Sequence, residues 1–225
     1  MTGEQVRGKI LSLCDFTARM VQPWAHAGYE CYCVDLQHPP GAGQPADNIR
    51  LVGADITRWI PPLTTYAMIF AFPPCTDLAV SGARHFQAKG LPTLLDALAI
   101  VEACRRIAEA GNCPYMIENP ISTLASYWRK PDYVFNPCDY GAYLDPPADA
   151  YTKKTCLWTG GGFIMPPAKP VAPVKVCPQG SWVQRLGGPS QRTKNARSAT
   201  PTGFAQAVCE ANARAHAQEA GVEGL

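Results

Sequence analysis

The chain has 225 residues, enough for one full core, or for one domain with an elaboration. A hydrophobic content of 47% and a charged content of 17% exclude a disordered polar chain, and a formal net charge of +2 is too small to announce nucleic acid by itself. No apolar run approaches the roughly 18 residues that would span a membrane, and no signal segment precedes the first strand, so a cytoplasmic protein is expected. The ten cysteines include no Cys-x-x-Cys pair, and Cys31-x-Cys33 is too tight for a usual structural zinc site, which points to reduced thiols and to no bound metal.

In chain order, Lys9 to Cys14 reads as a first strand. Asp15-Phe16-Thr17-Ala18 then turns into a helix from about Met20 to Ala27, stopped by Gly28. Tyr29 to Val34 is a second strand ending at Asp35, and Asn48 to Val52 is a short third strand leading to Asp55. The continuous apolar run from Tyr66 to Phe72 predicts a buried strand that opens into a loop stiffened by Pro73 and Pro74, with Cys75 next. A long helix is predicted from about Thr93 to Ala110, with Leu94, Leu95, Leu98, Ile100, Val101, Cys104 and Ile107 at its 3.6-residue period and Gly111 as its stop. The run from Pro114 to Ile117 is another strand, and it ends in Glu118-Asn119-Pro120. After Ser126, the prolines at 131, 137, 146 and 147 break the pattern. Thr152 to Gly160 reads as a further strand of alternating character, residues 161 to 190 as a Gly/Pro-rich loop, and Thr202 to Ala220 as a last helix with Phe204, Ala207, Val208 and Ala211 on its apolar face. Strands alternating with helices across short loops predict an α/β fold, a doubly wound and mostly parallel sheet.

In such a sheet, ligands bind beyond the carboxyl ends of the strands. The first three ends carry Asp15 with Thr17, Asp35 and Asp55. A carboxylate ending the second strand suits the two hydroxyls of a ribose, and one at the third can accept from an adenine amino group. Cys75 stands at the next strand end, and Glu118 at the one after, where a carboxylate is expensive to bury without a partner. From Gln184 to Arg197 the chain carries Arg185, Arg192, Lys194 and Arg197 with no acidic residue. That stretch reads either as a solvated basic loop or as a loop contacting phosphates.

Pro73-Pro74-Cys75-Thr-Asp-Leu-Ala-Val-Ser81-Gly82 lies without a gap over the motif Pro-Pro-Cys-Gln-x-Phe-Ser-x-x-Gly, and Glu118-Asn119-Pro120 stands where that pattern continues with Glu-Asn-Val. On these motifs the chain resembles the cytosine-C5 DNA methyltransferase family, in a compact form similar to phage and prophage enzymes. The resemblance implies a Rossmann-like class I S-adenosylmethionine-dependent methyltransferase fold, DNA as partner, and S-adenosylmethionine or a modified analogue as cofactor. It implies Cys75 as nucleophile on C6 of cytosine, Glu118 as the acid at N3, and Asn119 beside it. Of the family's Gln-x-Arg-x-Arg strand, laid over Thr152 to Cys156, Lys154 alone keeps a positive charge, with Arg84 as a substitute for the lost arginine. Asp15, Phe16, Thr17, Asp35, Asp55 and Pro73 would hold the cofactor, and Ser81, Arg185, Arg192, Lys194 and Arg197 the DNA. The family's glycine-rich first turn is absent, since Ser12 to Ala18 contains no glycine. Residues 1–160 would form the catalytic domain. Residues 161–198 would stand in for a recognition domain, leaving room for a protein partner in target selection, and 199–225 would pack back as the closing helix. Two other readings stand beside this one: a methyltransferase-like DNA-binding protein without catalysis, and the same chemistry on RNA or free nucleotides.

Overall fold

The computed structural model describes residues 6–40, 42–46, 48–178, 180–188 and 190–219. Their strands are β1 (Lys9–Leu13), β2 (Glu30–Asp35), β3 (Ala42–Ala46), β4 (Ile49–Gly53), β5 (Met68–Ala71), β6 (Tyr115–Pro120), β7 (Tyr133–Phe135) and β8 (Thr155–Gly160). Their helices are α1 (Gln22–His26), α2 (Phe86–Ala110), α3 (Leu124–Tyr127), α4 (Trp182–Arg185), α5 (Gln191–Ser198) and α6 (Thr202–Glu219), with 3₁₀ segments at Val80–His85 and Pro137–Tyr143.

The strands form one sheet in the order β3-β4-β2-β1-β5-β6-β8-β7. Neighbours from β4 to β6 pair in parallel, whereas β3, β8 and β7 pair antiparallel with β4, β6 and β8. The order reverses at β1, which is flanked by β2 and β5. This is the doubly wound, mostly parallel, Rossmann-like arrangement expected from the sequence.

The central strands are continuous apolar runs because both of their faces are covered. Ile10, Met68, Phe70 and Met116 pack with Trp24 and Tyr29 on the face closed by α6, through Phe204, Ala205 and Val208. Leu11, Leu13, Ile69, Ala71 and Ile117 pack against Ala97, Val101, Cys104 and Ala108 of α2 on the other. Phe204 is the key of the first face. Its ring lies 4.0 Å from that of Phe135 and 5.1 Å from that of Tyr140, edge-on to the latter.

Several elements differ from expectation. β3 and β7 are additional strands, and both pair antiparallel near an edge of the sheet. The long helix starts earlier, at Phe86, but Gly90 interrupts it with φ 75°, and Pro92 follows two residues later. Of the predicted stripe, Leu95 is 65% exposed; Val101 and Cys104 are buried with Ala97, Ala103 and Ala108, and Leu94, Leu98, Ile100 and Ile107 pack half-buried beside them. Gly111 keeps helical dihedrals, and Asn112, with φ 48°, makes the left-handed turn. The last predicted strand is shorter, since it starts at Thr155 and leaves Lys153 and Lys154 on the loop before it. Part of the predicted loop is helical, as α4 and α5. α6 ends at Glu219, and Ala220 lies outside the described residues.

Removing the Phe204 ring would open a cavity between β7 and the 137–143 segment. Phe204→Ala is expected to lower unfolding free energy by about 3–5 kcal/mol, read as a lower urea midpoint with an unchanged denaturant slope.

Candidate active site

The first strand end is organised by Asp15. Its carboxylate is buried and accepts from Ser12 Oγ at 2.8 Å, from Thr17 Oγ1 at 3.3 Å and from the Ala18 backbone N–H at 2.8 Å. Burial pushes the Asp15 pKa up, and those three donors oppose the shift. The carboxylate therefore holds the turn together from within. Cys14 and Ala18, both with φ 54°, adopt the left-handed conformation that glycine would take without cost. The glycine-free turn thus reaches a glycine-like path under strain, offset by the Asp15 bonds. Phe16 is exposed toward the cleft and stacks on His38 with ring centroids 5.5 Å apart, and His38 Nε2 donates to the Asp15 carbonyl at 3.2 Å.

At the second end, Asp35 Oδ1 accepts from the Gln37 backbone N–H at 2.8 Å. The chain after β2 then passes close to β4: a Cβ on Gly53 would lie 2.4 Å from the Pro39 carbonyl oxygen, so this position requires glycine. At the third end, Asp55 accepts from Thr57 N at 3.0 Å and Thr57 Oγ1 at 2.8 Å, bonds that lower its pKa.

Because β5 and β6 are parallel neighbours, their carboxyl ends carry Cys75 and Glu118 to the same side of the sheet. Pro73 is buried, and its carbonyl accepts from Asn119 Nδ2 at 2.9 Å. This bond ties the loop after β5 to the end of β6. Further backbone bonds continue the tie, from Val80 N to Ile121 O at 3.1 Å and from Thr123 N to Leu78 O at 3.0 Å. An ion pair between Lys89 and Asp77 fastens the far side of the loop. The Cys75 thiol is partly exposed, and burial raises its pKa first, with the Glu118 charge raising it further; Lys153 and Arg197 pull it down. Glu118 is raised by burial, and Lys153 opposes that shift. Glu118 Oε1 is buried without a hydrogen-bond partner among the described residues, as is Asn119 Oδ1.

One cleft of about 1200 Å³ joins these strand ends. Asp15, Phe16, Thr17, Asp35 and Asp55 line one part of it. Pro73, Cys75, Ser81, Arg84, Glu118, Asn119 and Lys154 line the other. Lys194 and Arg197 also face it, from α5, whereas Arg185 and Arg192 are exposed and do not line it. Arg84 Nε donates to His85 Nε2 at 3.0 Å on the rim. A second, small cavity of about 10 Å³ lies against Glu118, walled by Phe72, Phe135, Pro201 and Phe204, with Lys153, Thr155 and Thr200 as polar neighbours. Among the described residues, no cluster of His, Cys, Asp and Glu is grouped to hold a metal, and no helix is long and apolar enough to cross a membrane.

Sequence reasoning missed three contributors. Lys153 rather than Lys154 borders both cavities. The alternation of β8 carried the signal, because Thr155 and Leu157 share the Glu118 face while Cys156 turns to the opposite one. Gln191 Nε2 and Asn195 Nδ2 both donate to Gln37 Oε1, at 2.9 and 3.0 Å, and so fasten α5 to the loop beyond Asp35. No local pattern pointed to those contacts.

No family model and no curated protein matches the sequence. Among solved structures it is similar to the CcbJ methyltransferase from Streptomyces caelestis, at 15% identity over 58% of this chain and 49% of that one, with a TM-score of 0.31. It is also similar to the glycopeptide N-methyltransferase MtfA, at 16% identity over 70% of this chain and 67% of that one, with a TM-score of 0.29. The chain spans about half the length of the first of these. With likenesses this distant, the fold assignment stands on strand order and direction.

Glu118 gives the site a pH signature. Its folded pKa lies above that of an unfolded glutamate, so the stability linked to its proton is complete below the unfolded value and is lost as pH rises through the folded one. Glu118→Gln removes that loss. The variant is expected to gain urea resistance over wild type as pH rises from about 4 to about 8, with no gain at the acid end.

Proposed function

We propose that the protein transfers a methyl or related alkyl group from S-adenosylmethionine, or an analogue, to C5 of cytosine in DNA. The observation that carries this reading is the buried, unpartnered Glu118 Oε1, opening on the same cleft as the Cys75 thiol. A carboxyl held in that way is suited to donate a proton to a ligand, because burial favours its neutral form.

C5 of cytosine is a poor nucleophile until a thiolate adds at C6. Cys75 Sγ forms that bond while Glu118 gives its proton to N3, and the other carboxyl oxygen accepts from the exocyclic amine. After C5 is alkylated it loses its proton to a base, C6 releases the thiolate, and Glu118 recovers its proton. Asn119 acts through Pro73, holding the nucleophile loop in register with Glu118. The residues at the first three strand ends fit an adenosine-containing cofactor. Asp35 would accept from ribose hydroxyls, Asp55 and Thr17 would offer polar contacts, and the exposed Phe16 ring would face the adenine, while Asp15 shapes the turn. When bound, the cofactor supplies an electrophilic alkyl group on a sulfonium sulfur. The cytosine must leave its stack to reach a cleft at this depth.

Residues 1–160 would then form the catalytic part. In 161–198, α4 and α5 would replace a recognition domain, with Lys194 and Arg197 toward the cleft and Arg185 and Arg192 on the outer surface, while α6 closes the core.

An oligonucleotide containing 5-fluorocytosine should trap the wild-type protein as a covalent adduct visible by mass spectrometry, and Cys75→Ser should give none, since an alkoxide is far harder to form near neutrality. An adduct with DNA and not RNA is the expected result. One with RNA alone moves the substrate to RNA, and binding without any adduct favours a non-catalytic DNA-binding protein.

If Lys194 meets a phosphate, Lys194→Ala should reduce the slope of log affinity against log salt on duplex DNA by about one, equally for all sequences. Identical slopes in a salt titration would make α5 an ordinary solvated surface.

A further inference from the structure

β8 runs antiparallel to β6 with Leu157 opposite Glu118, Cys156 opposite Asn119 and Thr155 opposite Pro120. Opposed residues share a face, so Thr155 lies on the Glu118 face. Lys153, two residues earlier, keeps to that side and borders both the cleft and the small cavity behind Glu118. Lys154 borders the cleft alone. Cys156, which stands where a second arginine was expected, belongs to the other face of the sheet.

We infer that Lys153 is a positioning residue whose ammonium balances a single negative charge shared by Cys75 and Glu118, making the thiolate and the carboxylic acid available together. The inference rests on the nucleophile and acid roles proposed above. The charged neighbours are few. Cys75 feels Glu118 from β6, Lys153 from the loop before β8 and Arg197 from α5. Glu118 feels Lys153, and its own charge reaches Cys156 and Tyr151. Arg84, His85 and the paired Lys89 and Asp77 stand on the rim beyond Cys75. Lys153 acts on both Cys75 and Glu118, and in each case it opposes the upward push of burial.

The proton balance closes within the site. Cys75 Sγ gives up its proton and becomes a thiolate, and Glu118, whose Oε1 has no partner among the described residues, takes up one proton and becomes a donor. The pair carries one negative charge before and after, and Lys153 neutralises it in either arrangement. Without Lys153 that charge would sit in a buried site with Arg197 reaching only the thiolate, a costly state for either group.

The test needs neither cofactor nor nucleic acid. Seven of the ten cysteines are buried, leaving Cys14, Cys75 and Cys177 partly exposed. The full chain is labelled with iodoacetamide across a pH series and the Cys75 peptide is followed by mass spectrometry, with the Cys177 peptide as an internal control of folding. Lys153→Met and Lys153→Gln should move the Cys75 profile to higher pH and slow its labelling near neutrality on the order of tenfold, the equivalent of one pKa unit. Lys153→Arg should restore it, and Cys177 should not change. An unmoved Cys75 profile in both neutral variants, with Cys177 labelling intact, overturns the inference, as does an arginine variant that behaves like them. A shifted profile in a protein that forms no 5-fluorocytosine adduct would keep the charge balance and remove the cytosine reading.

Discussion

A carboxylate at the end of a strand covered on both faces is the constraint on which this site turns. Glu118 follows the fully buried Met116 and Ile117 and is itself half-buried at the edge of the cleft, with its Oε1 turned away from solvent. One oxygen has no partner. A protein usually avoids that arrangement or neutralises it by protonation, a counter-charge or a ligand. Here burial pushes the Glu118 pKa up, the charge of Lys153 opposes that shift, and a cleft large enough for a ligand lies against it.

The rest of the site is built to keep that carboxyl and Cys75 in fixed relation. The two belong to neighbouring parallel strands, so the sheet sets their spacing, and the Asn119–Pro73 bond prevents the intervening loop from lifting away. On the other side of the switch point, the same result is reached by strain. Cys14 and Ala18 take left-handed dihedrals that only neighbouring hydrogen bonds can sustain, and Asp15 provides them from a buried carboxylate. α5 then joins the two halves across the cleft, with Gln37 accepting from both Gln191 and Asn195 at one end and Arg197 acting on Cys75 near the other.

How much of this was legible in the sequence depended on the reach of each signal. β5 was readable because a strand buried on both faces is apolar throughout, and β1, β2 and β6 because apolar residues fill most of their buried positions. Cys75 and Glu118 were visible as residues out of place at the ends of such runs. β7 was not, since Tyr133 and Val134 are exposed and three residues show no period. β3, with the sequence Ala-Gly-Gln-Pro-Ala, contains no β-branched or aromatic residue. α5 lacks an apolar stripe, and its helix is defined by the Ser190 cap and by contacts to Gln37, which is more than 150 positions away in the chain. The choice between Lys153 and Lys154 was a question of register, which one residue of slippage reverses and which composition does not address.

The placement of α6 bears on how the molecule comes into being. A ribosome delivers the chain from its amino end, so Cys75 and Glu118 emerge early. The wall behind Glu118 is completed by Thr200, Pro201 and Phe204, and the face above β1 and β5 by Ala205 and Val208. Until α6 arrives, the face that bears Met68, Phe70 and Met116 lacks the part of its cover supplied by Phe204, Ala205 and Val208, and the wall behind Glu118 is incomplete. The wall behind Glu118 is therefore completed only after α6 has emerged, more than 80 positions after Glu118 itself.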